Sequence, residues 1–251
     1  MTGQAMDFKG KRYWLVGASE GLGLALAQQL SAAGATVILS ARSVDGLASA
    51  AATLSGPVQT VQMDVADQAS VAKAAAALGA IDGLVFLAGV YWPIKAQDWD
   101  AKAVTAMCDV NFTGCARVLG EVVPGMVARG QGHVVITGSL SGFRGLPGAV
   151  GYAASKAGVM VLAECLYADL RGTGVKVQLA NPGFIRTRLT EKNDFSMPFL
   201  MEPAQAAAAM MALMRSNAFK SSFPRLFSWL FRGSQFLPDW AYYRIFAPKK
   251  G

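Results

Sequence analysis

The sequence has little material for a metal centre, a disulfide framework or a membrane span. It contains one histidine among 251 residues, and its three cysteines, Cys108, Cys115 and Cys165, form no Cys-x-x-Cys or other metal-ligand spacing. An odd number of scattered cysteines is typical of reduced thiols in core helices. No uninterrupted apolar run approaches the roughly 18 residues of a membrane span, and the first residues lack the apolar core of a signal peptide. We therefore expect a cytoplasmic protein without a metal site.

Charged residues are also scarce, at 16% of the chain, whereas hydrophobic residues reach 53% and the mean hydropathy is +0.34. This balance argues against disorder and for an extensive interior. Neither a fixed-period repeat nor a low-complexity linker divides the chain. We predict a single domain over residues 1–251, a length that can bury such a core.

The positive charge is concentrated at the C-terminal end. The formal net charge is +7, and residues 219–251 contribute +5 of it through six basic residues against Asp239. The first 218 residues are nearly neutral, and no helix-turn-helix, zinc-finger or RNA-binding motif accompanies them, so we expect no nucleic-acid partner. The basic residues of this end are Lys220, Arg225, Arg232, Arg244, Lys249 and Lys250.

Short β-rich runs alternate with alanine-rich stretches of helix length. The runs are almost continuously apolar, as a parallel sheet covered on both faces requires, and the stretches between them supply crossover helices. The predicted fold class is α/β, a single-domain Rossmann-type doubly wound parallel sheet. The predicted strands are 12–16, 36–40, 58–63, 84–88, 133–137 and 175–180.

A glycine-rich turn follows the first predicted strand and precedes a helix-forming run over residues 24–30. Gly17, Gly21 and Gly23 are spaced Gly-x-x-x-Gly-x-Gly. Glycine lets the backbone turn tightly and approach a pyrophosphate, whose charge then lies on the amides and positive dipole of the helix N-terminus. In a strand–loop–helix context, this pattern predicts a dinucleotide site.

Tyr152 and Lys156 stand four residues apart in a proline-free run, 152–170, that predicts a helix. At this spacing the two side chains share one helix face. An unperturbed phenol has a pKa of about 10, and a neighbouring ammonium favours the phenolate, so we expect the pKa of Tyr152 to be lowered. Tyr152 is therefore a candidate general acid or base.

The glycine spacing and the Tyr-x-x-x-Lys pair together resemble the short-chain dehydrogenase/reductase family, over about residues 9–189. The resemblance implies a carbonyl/alcohol oxidoreductase with a nicotinamide cofactor, commonly assembled as a homo-oligomer. Further motifs occur in the order of that family: Met63-Asp64-Val65, Ala88-Gly89, Asn111 in Val-Asn-Phe-Thr-Gly, Ser139, and Asn181-Pro182-Gly183-Phe184-Ile185-Arg186-Thr187.

The resemblance implies a catalytic role for four residues. Tyr152 would exchange a proton with the substrate oxygen, which Ser139 would position and polarise. Lys156 would lower the pKa of Tyr152 and hydrogen-bond the nicotinamide ribose. Asn111 would hold a water that links Lys156 to solvent.

The resemblance also implies cofactor contacts along the chain. Asp64 would contact the adenine, although a turn residue at a strand end is the alternative, and Thr187 would touch the nicotinamide amide near Ile185. The expected cofactor-binding residues are Gly17, Ser19, Gly21, Leu22, Gly23, Arg42, Asp64, Val65, Ala88, Gly89, Tyr152, Lys156, Pro182, Gly183, Ile185 and Thr187.

The end of the second predicted strand bears on the choice between NADP and NAD. An acidic side chain there would bind the ribose 2′-hydroxyl, and a basic one would pair with a 2′-phosphate. The chain has Ser40-Ala41-Arg42, with no Asp or Glu, so we favour NADP over NAD. Glu20 in the glycine loop argues the other way, because its carboxylate could repel the phosphate.

The chain differs from the family pattern at two sites that would be neighbours in the sheet. Val16 stands where the family usually has threonine, and Phe86-Leu87 replaces two asparagines that make polar contacts between strands. Replacing both polar partners by apolar groups can be nearly neutral, whereas losing one would cost about 1–3 kcal/mol. We predict that Val16 packs against Phe86 or Leu87.

Residues 188–201 form the predicted substrate lid. Apolar residues in the lid and in two other loops predict a substrate with a sizeable apolar body, the alternative being that they pack the edge of the core. These residues are Phe195, Met197, Phe199, Leu200 and Met201, then Tyr91, Trp92 and Pro93, then Phe143, Leu146 and Pro147.

The end of the chain, residues 219–251, is an amphipathic tail unlike the common ending of the family. After a helix at 203–217 and a possible last strand at 219–223, two basic, aromatic segments follow at 224–231 and 238–246. Such segments suit a membrane surface, a subunit interface or a cap over the active site. At helical spacing from residue 223 onward we predict one apolar stripe of Phe223, Leu226, Phe227 and Leu230, widened by Trp229 and Phe231.

The sequence therefore predicts an NADP(H)-dependent oxidoreductase that interconverts a ketone or aldehyde and an alcohol. The alternative is a catalytically weak cofactor-binding protein that docks a membrane or partner through its tail. His133 opens an apolar run with no ionisable residue nearby in sequence, so we expect it to be structural.

Overall fold

The computed structural model describes residues 6–192 and 196–247. Their strands form one seven-stranded sheet, in which every described strand pairing is parallel. The strands are β1 Arg12–Val16, β2 Thr36–Ala41, β3 Val58–Gln62, β4 Gly83–Phe86, β5 Gly132–Thr137, β6 Val175–Pro182 and β7 Lys220–Phe223. Their order in the sheet is β3-β2-β1-β4-β5-β6-β7, which confirms the doubly wound α/β prediction.

Helices occupy most connections between the strands. They are α1 Gly21–Ala32, α2 Val44–Ala51, α3 Gln68–Leu78, α4 Ala101–Cys108, α5 Gly114–Ala128, α6 Val150–Asp169, α7 Pro203–Arg215, α8 Arg225–Ser234 and α9 Asp239–Phe246. A π-helical segment, Asp109–Thr113, joins α4 to α5.

Strand β1 shows why the strand sequences are apolar at successive positions. Tyr13 and Leu15 belong to a buried cluster that includes residues of α1 and α7. Trp14 and Val16 belong to a second cluster, which includes residues of α3, α5 and α6. Because successive side chains of a strand point to opposite faces, a sheet covered on both sides needs apolar residues at every position.

The chain reverses its direction of travel across the sheet at β1. This strand lies between β2 and β4, and later strands extend away from β4. In open α/β sheets, ligands bind outside the carboxyl ends of the strands at such a switch point. The topology therefore places a crevice beside the glycine loop.

Predicted and observed elements differ only at their ends. The six predicted strands agree with the observed bounds to within two residues, and the predicted last strand, 219–223, appears as β7. Helix α1 begins at Gly21, three residues before the predicted run, because the low helix propensity of glycine masks the first turn. Helix α7 begins as predicted at Pro203, in a capping box of Glu202 and Gln205, and ends two residues early.

The predicted apolar contact between β1 and β4 is confirmed. Val16 and Phe86 are register partners in the parallel pairing of these strands. Both are almost fully buried in the same apolar cluster. Leu87, the other predicted partner, packs against the cluster on the opposite face.

His133 has the structural role that the sequence predicted. Its Nδ1 lies 2.8 Å from the Tyr13 hydroxyl, and its Nε2 lies 2.9 Å from Oε1 of Gln178. The Gln178 amide nitrogen donates to main-chain carbonyls, so Oε1 must accept and the histidine Nε2 must carry the proton. Burial lowers the pKa of His133 to about 4, so the ring is neutral at pH 7.

The three cysteines lie in helices without a disulfide partner, but only one of them is in the core. Cys115 is buried, Cys108 is half-buried and Cys165 is exposed. The expectation of core positions is therefore wrong for Cys165, which lies on an outward face of α6.

The predicted apolar stripe of the tail is wrong in its register. Phe223 belongs to β7, and helix α8 begins only at Arg225. Phe227 and Phe231 are buried, whereas Leu226 is 72% exposed and Trp229 is 63% exposed. Helix α8 therefore has two apolar sides, one facing the protein and one facing outward. Within the described ranges, no helix is both long enough and apolar enough to cross a membrane.

Candidate active site

A cleft lies at the carboxyl ends of β1 and β4, where the topology predicts one. The start of α1 borders it, and no side chain of the described residues caps this helix. The first amides of a helix have no partner within the helix and carry a partial positive charge. The start of α1 can therefore receive an anionic group such as a pyrophosphate.

The glycine loop leaves no room for side chains beside this helix. A Cβ atom on Gly17 would lie 2.5 Å from the Ala88 backbone, and a Cβ atom on Gly23 would lie 2.2 Å from the Gly17 carbonyl oxygen. Gly17 also has a φ of +87°, which favours glycine. The glycines thus allow the loop to lie close against both the segment after β4 and the start of α1, as a dinucleotide cradle requires. The residues present fit such a cofactor.

All the cofactor-binding residues predicted from the sequence line this single cleft. The lining includes Gly17, Ser19, Gly21, Leu22, Gly23, Arg42, Asp64, Val65, Ala88, Gly89, Tyr152, Lys156, Pro182, Gly183, Ile185 and Thr187. They come from six separate stretches of the chain, which the parallel sheet brings to one edge.

Arg42 and Asp64 lie at the end of the cleft beside β2 and β3. The Arg42 side chain is exposed and makes no hydrogen bond or ion pair within the described part of the chain, while its carbonyl accepts from Gln62 at 2.9 Å. One oxygen of the Asp64 carboxylate accepts from the Ala66 amide at 3.0 Å. Asp64 therefore stabilises a local turn, as its alternative interpretation predicted, and also lines the cleft.

An ion pair spans the cleft between the glycine loop and the segment after β6. Nε and Nη2 of Arg188 donate to one Glu20 carboxylate oxygen at 2.8 and 2.5 Å. Both side chains also line the cleft. The sequence identified Glu20 only as a charge that could repel a phosphate, and the structure shows that Arg188 offsets that charge.

Asn111 lies in the π-helical segment and is fully buried. Its Oδ1 accepts from the Val90 amide at 2.8 Å, and its Nδ2 donates to the Val90 carbonyl and to Ser155 Oγ, each at 3.0 Å. Asn111 therefore fixes the loop after β4 to helix α6. Both of its amide protons are engaged, so the predicted water would have to donate to an oxygen atom of Asn111.

Ser139 lies next to Tyr152, and of the two only Tyr152 lines the cleft. Ser139 follows β5 and caps a 3₁₀ turn, where its Oγ accepts from the Ser141 amide at 3.1 Å. Burial raises the pKa of Tyr152 to about 12; a hydrogen bond with Ser139 acts in the opposite direction, and nearby Tyr91 adds to the rise. The Tyr91 ring packs edge-on against Tyr152, with centroids 5.0 Å apart.

The direction of this pKa change is opposite to the sequence prediction. Lys156 Nζ lies 5.9 Å from the centre of the Tyr152 ring and donates to the Thr137 carbonyl at 2.9 Å. Burial also lowers the pKa of Lys156 itself, to about 8. The removal of both groups from water therefore outweighs their mutual effect.

A second cavity, of about 880 Å³, opens on the other side of Tyr152. This volume is at the upper end of the range of small-molecule sites. Tyr152 lines both the cavity and the cleft, and Ser139 lines the cavity. The remaining walls are mostly apolar and include Tyr91, Pro93, Ile94, Leu140, Leu146, Pro147, Phe184, Leu189, Pro198, Phe227, Leu230, Phe231 and Phe246.

Part of the predicted lid and loops lies outside this cavity. Trp92 packs against Lys192, whose Nζ lies 4.6 Å from the centre of the indole ring. Phe143 packs against the buried Phe227 cluster. Phe199 is 54% exposed, and Phe195 lies outside the described residues. Five residues of 188–201 line the cavity, Leu189, Thr190, Lys192, Ser196 and Pro198, whereas Met197, Leu200 and Met201 do not. The role of this segment as a substrate lid stays a prediction.

The sequence left three roles open for the tail: contact with a membrane, contact with another subunit, or a cap over the active site. In the structure the inner side of the tail covers the cavity. Phe227, Leu230 and Phe231 of α8 and Phe246 of α9 line the cavity. Sequence reasoning missed Arg144, whose Nη1 donates to the carbonyls of Ser234 and Leu237 at 2.8 Å. The sequence contained one indication of this contact: Arg144 lies in the loop after Ser139, and the tail has a single acidic residue, Asp239, with which it could pair.

Comparisons with known proteins agree with the site. A family model described as short chain dehydrogenase matches residues 11–196. An uncharacterised oxidoreductase of Myxococcus xanthus is 39% identical over 218 residues, which cover 84% of this chain and 86% of the relative. A 3-oxoacyl-(acyl-carrier-protein) reductase of Thermotoga maritima is 35% identical over 199 residues, covering 74% and 79%.

Solved structures give the same result. One, described as a short chain dehydrogenase/reductase family protein, is 30% identical, with a TM-score of 0.81 over 86% of this chain and 95% of its own. A short chain dehydrogenase from Burkholderia cenocepacia shares the fold at 24% identity, with a TM-score of 0.84 over 96% and 99% of the two chains. With its glycine cradle, parallel sheet and family match, the chain belongs to the short-chain dehydrogenase/reductase family, oxidoreductases that act on CH–OH groups.

Proposed function

We propose that the protein interconverts a ketone or aldehyde and an alcohol with NADP(H), on a substrate with an apolar body. One observation carries the proposal: Tyr152 and Ser139 lie where a cleft that fits a dinucleotide meets a large apolar cavity. A carbonyl group at this junction would lie within reach of both hydroxyls, with its apolar body in the cavity.

Tyr152 supplies the proton in the reductive direction. With a pKa raised to about 12, the phenol keeps its proton at neutral pH. Ser139 already accepts from the Ser141 amide, and its own hydroxyl proton is left to donate to Tyr152 or to a substrate oxygen. As negative charge develops on the substrate oxygen, Ser139 stabilises it by a hydrogen bond and Tyr152 transfers its proton.

Lys156 stabilises the phenolate that forms when Tyr152 loses its proton. The Lys156 ammonium donates to the Thr137 carbonyl, and this hydrogen bond holds it near the phenol ring. A positive charge at this distance favours the deprotonated tyrosine. The nicotinamide cofactor, when bound, supplies the hydride.

The preference for NADP rests on Arg42. This guanidinium is free to form a bidentate contact with a 2′-phosphate, and the neighbouring residues Ala41 and Ser43 bring no negative charge. Glu20 does not oppose the phosphate strongly, because its carboxylate is paired with Arg188. Cytoplasmic location and assembly as a homo-oligomer stay predictions.

The experiment follows NADPH consumption on a panel of ketones and long-chain aldehydes. We expect turnover that falls by about 10²–10⁴-fold in Tyr152→Phe. Tyr167→Phe, which changes a partly exposed tyrosine on the same helix, is the matched control and should retain full activity. NADPH binding without turnover of any compound in the panel would refute the proposal and favour a catalytically weak cofactor-binding protein. The names of the relatives, an oxidoreductase and a reductase, do not support that alternative.

Arg42→Gln tests the cofactor choice separately. We expect KM for NADPH to rise by about tenfold or more, since a charged hydrogen bond is lost, and KM for NADH to change little. Equal effects on the two cofactors would contradict the role of Arg42.

A further inference from the structure

The outward side of the tail exposes an unusual concentration of large apolar side chains. We define the outer tail surface as Leu226, Trp229, Phe236, Trp240, Tyr243 and Ile245, which are between 49% and 89% exposed. Scattered exposed apolar residues are normal, whereas a dense group marks a contact surface. These six fall within twenty consecutive residues.

The buried apolar clusters of the described residues do not include the outer tail surface. On α8, Leu226 and Trp229 are three residues apart and point outward, while Phe227 and Phe231 point into the protein. The Phe231 and Phe246 rings lie 6.2 Å apart, so the inner sides of α8 and α9 meet. Tyr243 packs edge-on against Tyr242 and lies near Arg144. The other five residues are 59–89% exposed and belong to none of the buried apolar clusters of the described residues.

The charges beside this surface are positive and unneutralised. Arg225, Arg232 and Arg244 are exposed, and none of them forms an ion pair within the ranges 6–192 and 196–247. The single acidic residue of the tail, Asp239, pairs with Arg144. Arg232 lies over the Trp229 ring at 5.5 Å, which places a cation next to an exposed indole.

We propose that the outer tail surface docks on an anionic lipid membrane. Exposed Trp, Tyr and Phe side chains beside arginines suit the boundary between headgroups and acyl chains, where the rings enter the apolar layer and the cations meet lipid phosphates. A second copy of this chain fits less well, because a symmetric contact would bring the arginines of two copies together. The complementary charge therefore selects the lipid surface.

Docking in this way brings the mouth of the substrate cavity to the membrane. Leu230 is 51% exposed on α8 and also lines the cavity. Phe199 of the lid, 54% exposed, contacts Phe227 with ring centroids 5.5 Å apart. The proposal does not depend on turnover, because binding to vesicles is measured without a substrate.

The test is sedimentation of the full-length protein with vesicles of phosphatidylcholine alone or mixed with phosphatidylglycerol. We expect binding to the mixed vesicles that weakens as salt is raised. The double variant Trp229→Ser/Trp240→Ser should lower this binding at least about tenfold, because it removes two interfacial aromatic anchors. Trp99→Ser, which removes an exposed tryptophan elsewhere, is the matched control and should bind as the wild type does.

A second measurement does not depend on the folding of the double variant. In the Trp99→Ser protein the strongly exposed tryptophans are Trp229 and Trp240, so lipids with bromine-labelled acyl chains should quench their fluorescence. Absence of quenching together with absence of sedimentation would overturn the proposal. A dimer that forms without lipid, does not sediment with vesicles and dissociates in the double variant would also overturn it, in favour of a second copy as the occupant.

Discussion

His133 illustrates how one buried residue links the stability of the whole sheet to pH. The ring joins β1, β5 and β6 through Tyr13 and Gln178, and it does so in the neutral form. Protonation would place a charge in a nearly fully buried position and replace the acceptor nitrogen that faces Tyr13 by a donor. The fold therefore opposes protonation of the ring.

We expect this residue to weaken the fold in mild acid. Its pKa is about 4 in the folded protein, and about 6.5 is usual for an unfolded chain. Between these values the unfolded chain binds the proton and the folded chain does not, so the free energy of unfolding decreases as pH falls. The expected loss is up to about 3 kcal/mol over this interval.

Urea unfolding at several pH values, in the wild type and in His133→Gln, measures this effect. The variant is expected to be less stable at neutral pH but to lose less stability on acidification. Parallel pH profiles for the two proteins would show that the histidine is not the source of the acid sensitivity. The chain has no other histidine to complicate the comparison.

Val16 is a second residue whose contribution to stability depends on one neighbour, Phe86. It is 1% exposed and lies opposite Phe86. In Val16→Thr a hydroxyl would lie among apolar groups, and we expect a loss of about 1–3 kcal/mol in the free energy of unfolding. Val161→Thr, at a 58% exposed position, should change stability by less than about 0.5 kcal/mol. A similar, small effect at both positions would contradict the apolar pairing of β1 with β4.

Among the secondary-structure elements, Arg144 connects the loop after β5 to the tail that covers the cavity. This residue donates to the carbonyl of Ser234 at the end of α8 and to that of Leu237 in the turn before α9. It also pairs with Asp239 at the start of α9 and stacks on the Tyr242 ring at 4.0 Å. The Tyr242 hydroxyl in turn donates to the Gly145 carbonyl at 2.8 Å. One side chain thus joins the loop after Ser139 to both tail helices.

Replacing Arg144 by methionine should loosen the tail and leave the cofactor cleft unchanged. Methionine keeps an apolar side chain of similar length but removes every hydrogen bond, at an expected cost of about 1–3 kcal/mol. We expect faster proteolysis within the tail and a KM for bulky apolar substrates raised about tenfold, with the Kd for NADPH unchanged. Arg171→Met, at an exposed position, is the control. An equal change in NADPH affinity would indicate a general folding defect instead.

The positions of the helices and strands were predicted more reliably than which side of each helix is buried. The position of α8 followed from its composition, but which of its apolar residues are buried did not. Helix α8 begins one residue after Pro224, so Phe223 is outside the helix and the predicted stripe includes residues of two sides. The correct side depends on what lies opposite, namely Leu140, Phe143 and Leu146, which are distant in sequence.

In the molecule as a whole, the cofactor cleft and the apolar cavity are separate sites that meet at Tyr152. We therefore expect the apolar length of the substrate to affect kcat/KM through the cavity. The cavity is about 880 Å³ and its walls are mostly apolar. Each methylene group that it buries contributes about 0.8 kcal/mol, so kcat/KM should rise about fourfold for each added CH₂ in a series of aliphatic aldehydes until the cavity is filled. Values of kcat/KM that stay constant along the series would show that the cavity does not hold the substrate body.

The architecture and the set of residues that line the cleft follow from the order of residues along the chain. Apolar runs separated by helix-length segments imply a parallel sheet, and the glycine loop must follow the first strand of such a sheet. Because parallel strands share one carboxyl edge, residues as far apart as Ser19, Asp64 and Thr187 come together there. These are consequences of chain order and strand direction, which a sequence contains.

The burial of each group and the identity of its neighbours, by contrast, depend on how the folded chain packs, so they required the structure. It raised the pKa of Tyr152 where the neighbouring lysine alone predicted a decrease, because burial outweighs that charge. It paired Glu20 with Arg188, whose contact crosses 168 positions in the chain. It also divided the tail into a buried side that caps the cavity and an exposed side, since burial is a property of three-dimensional neighbours and not of local pattern.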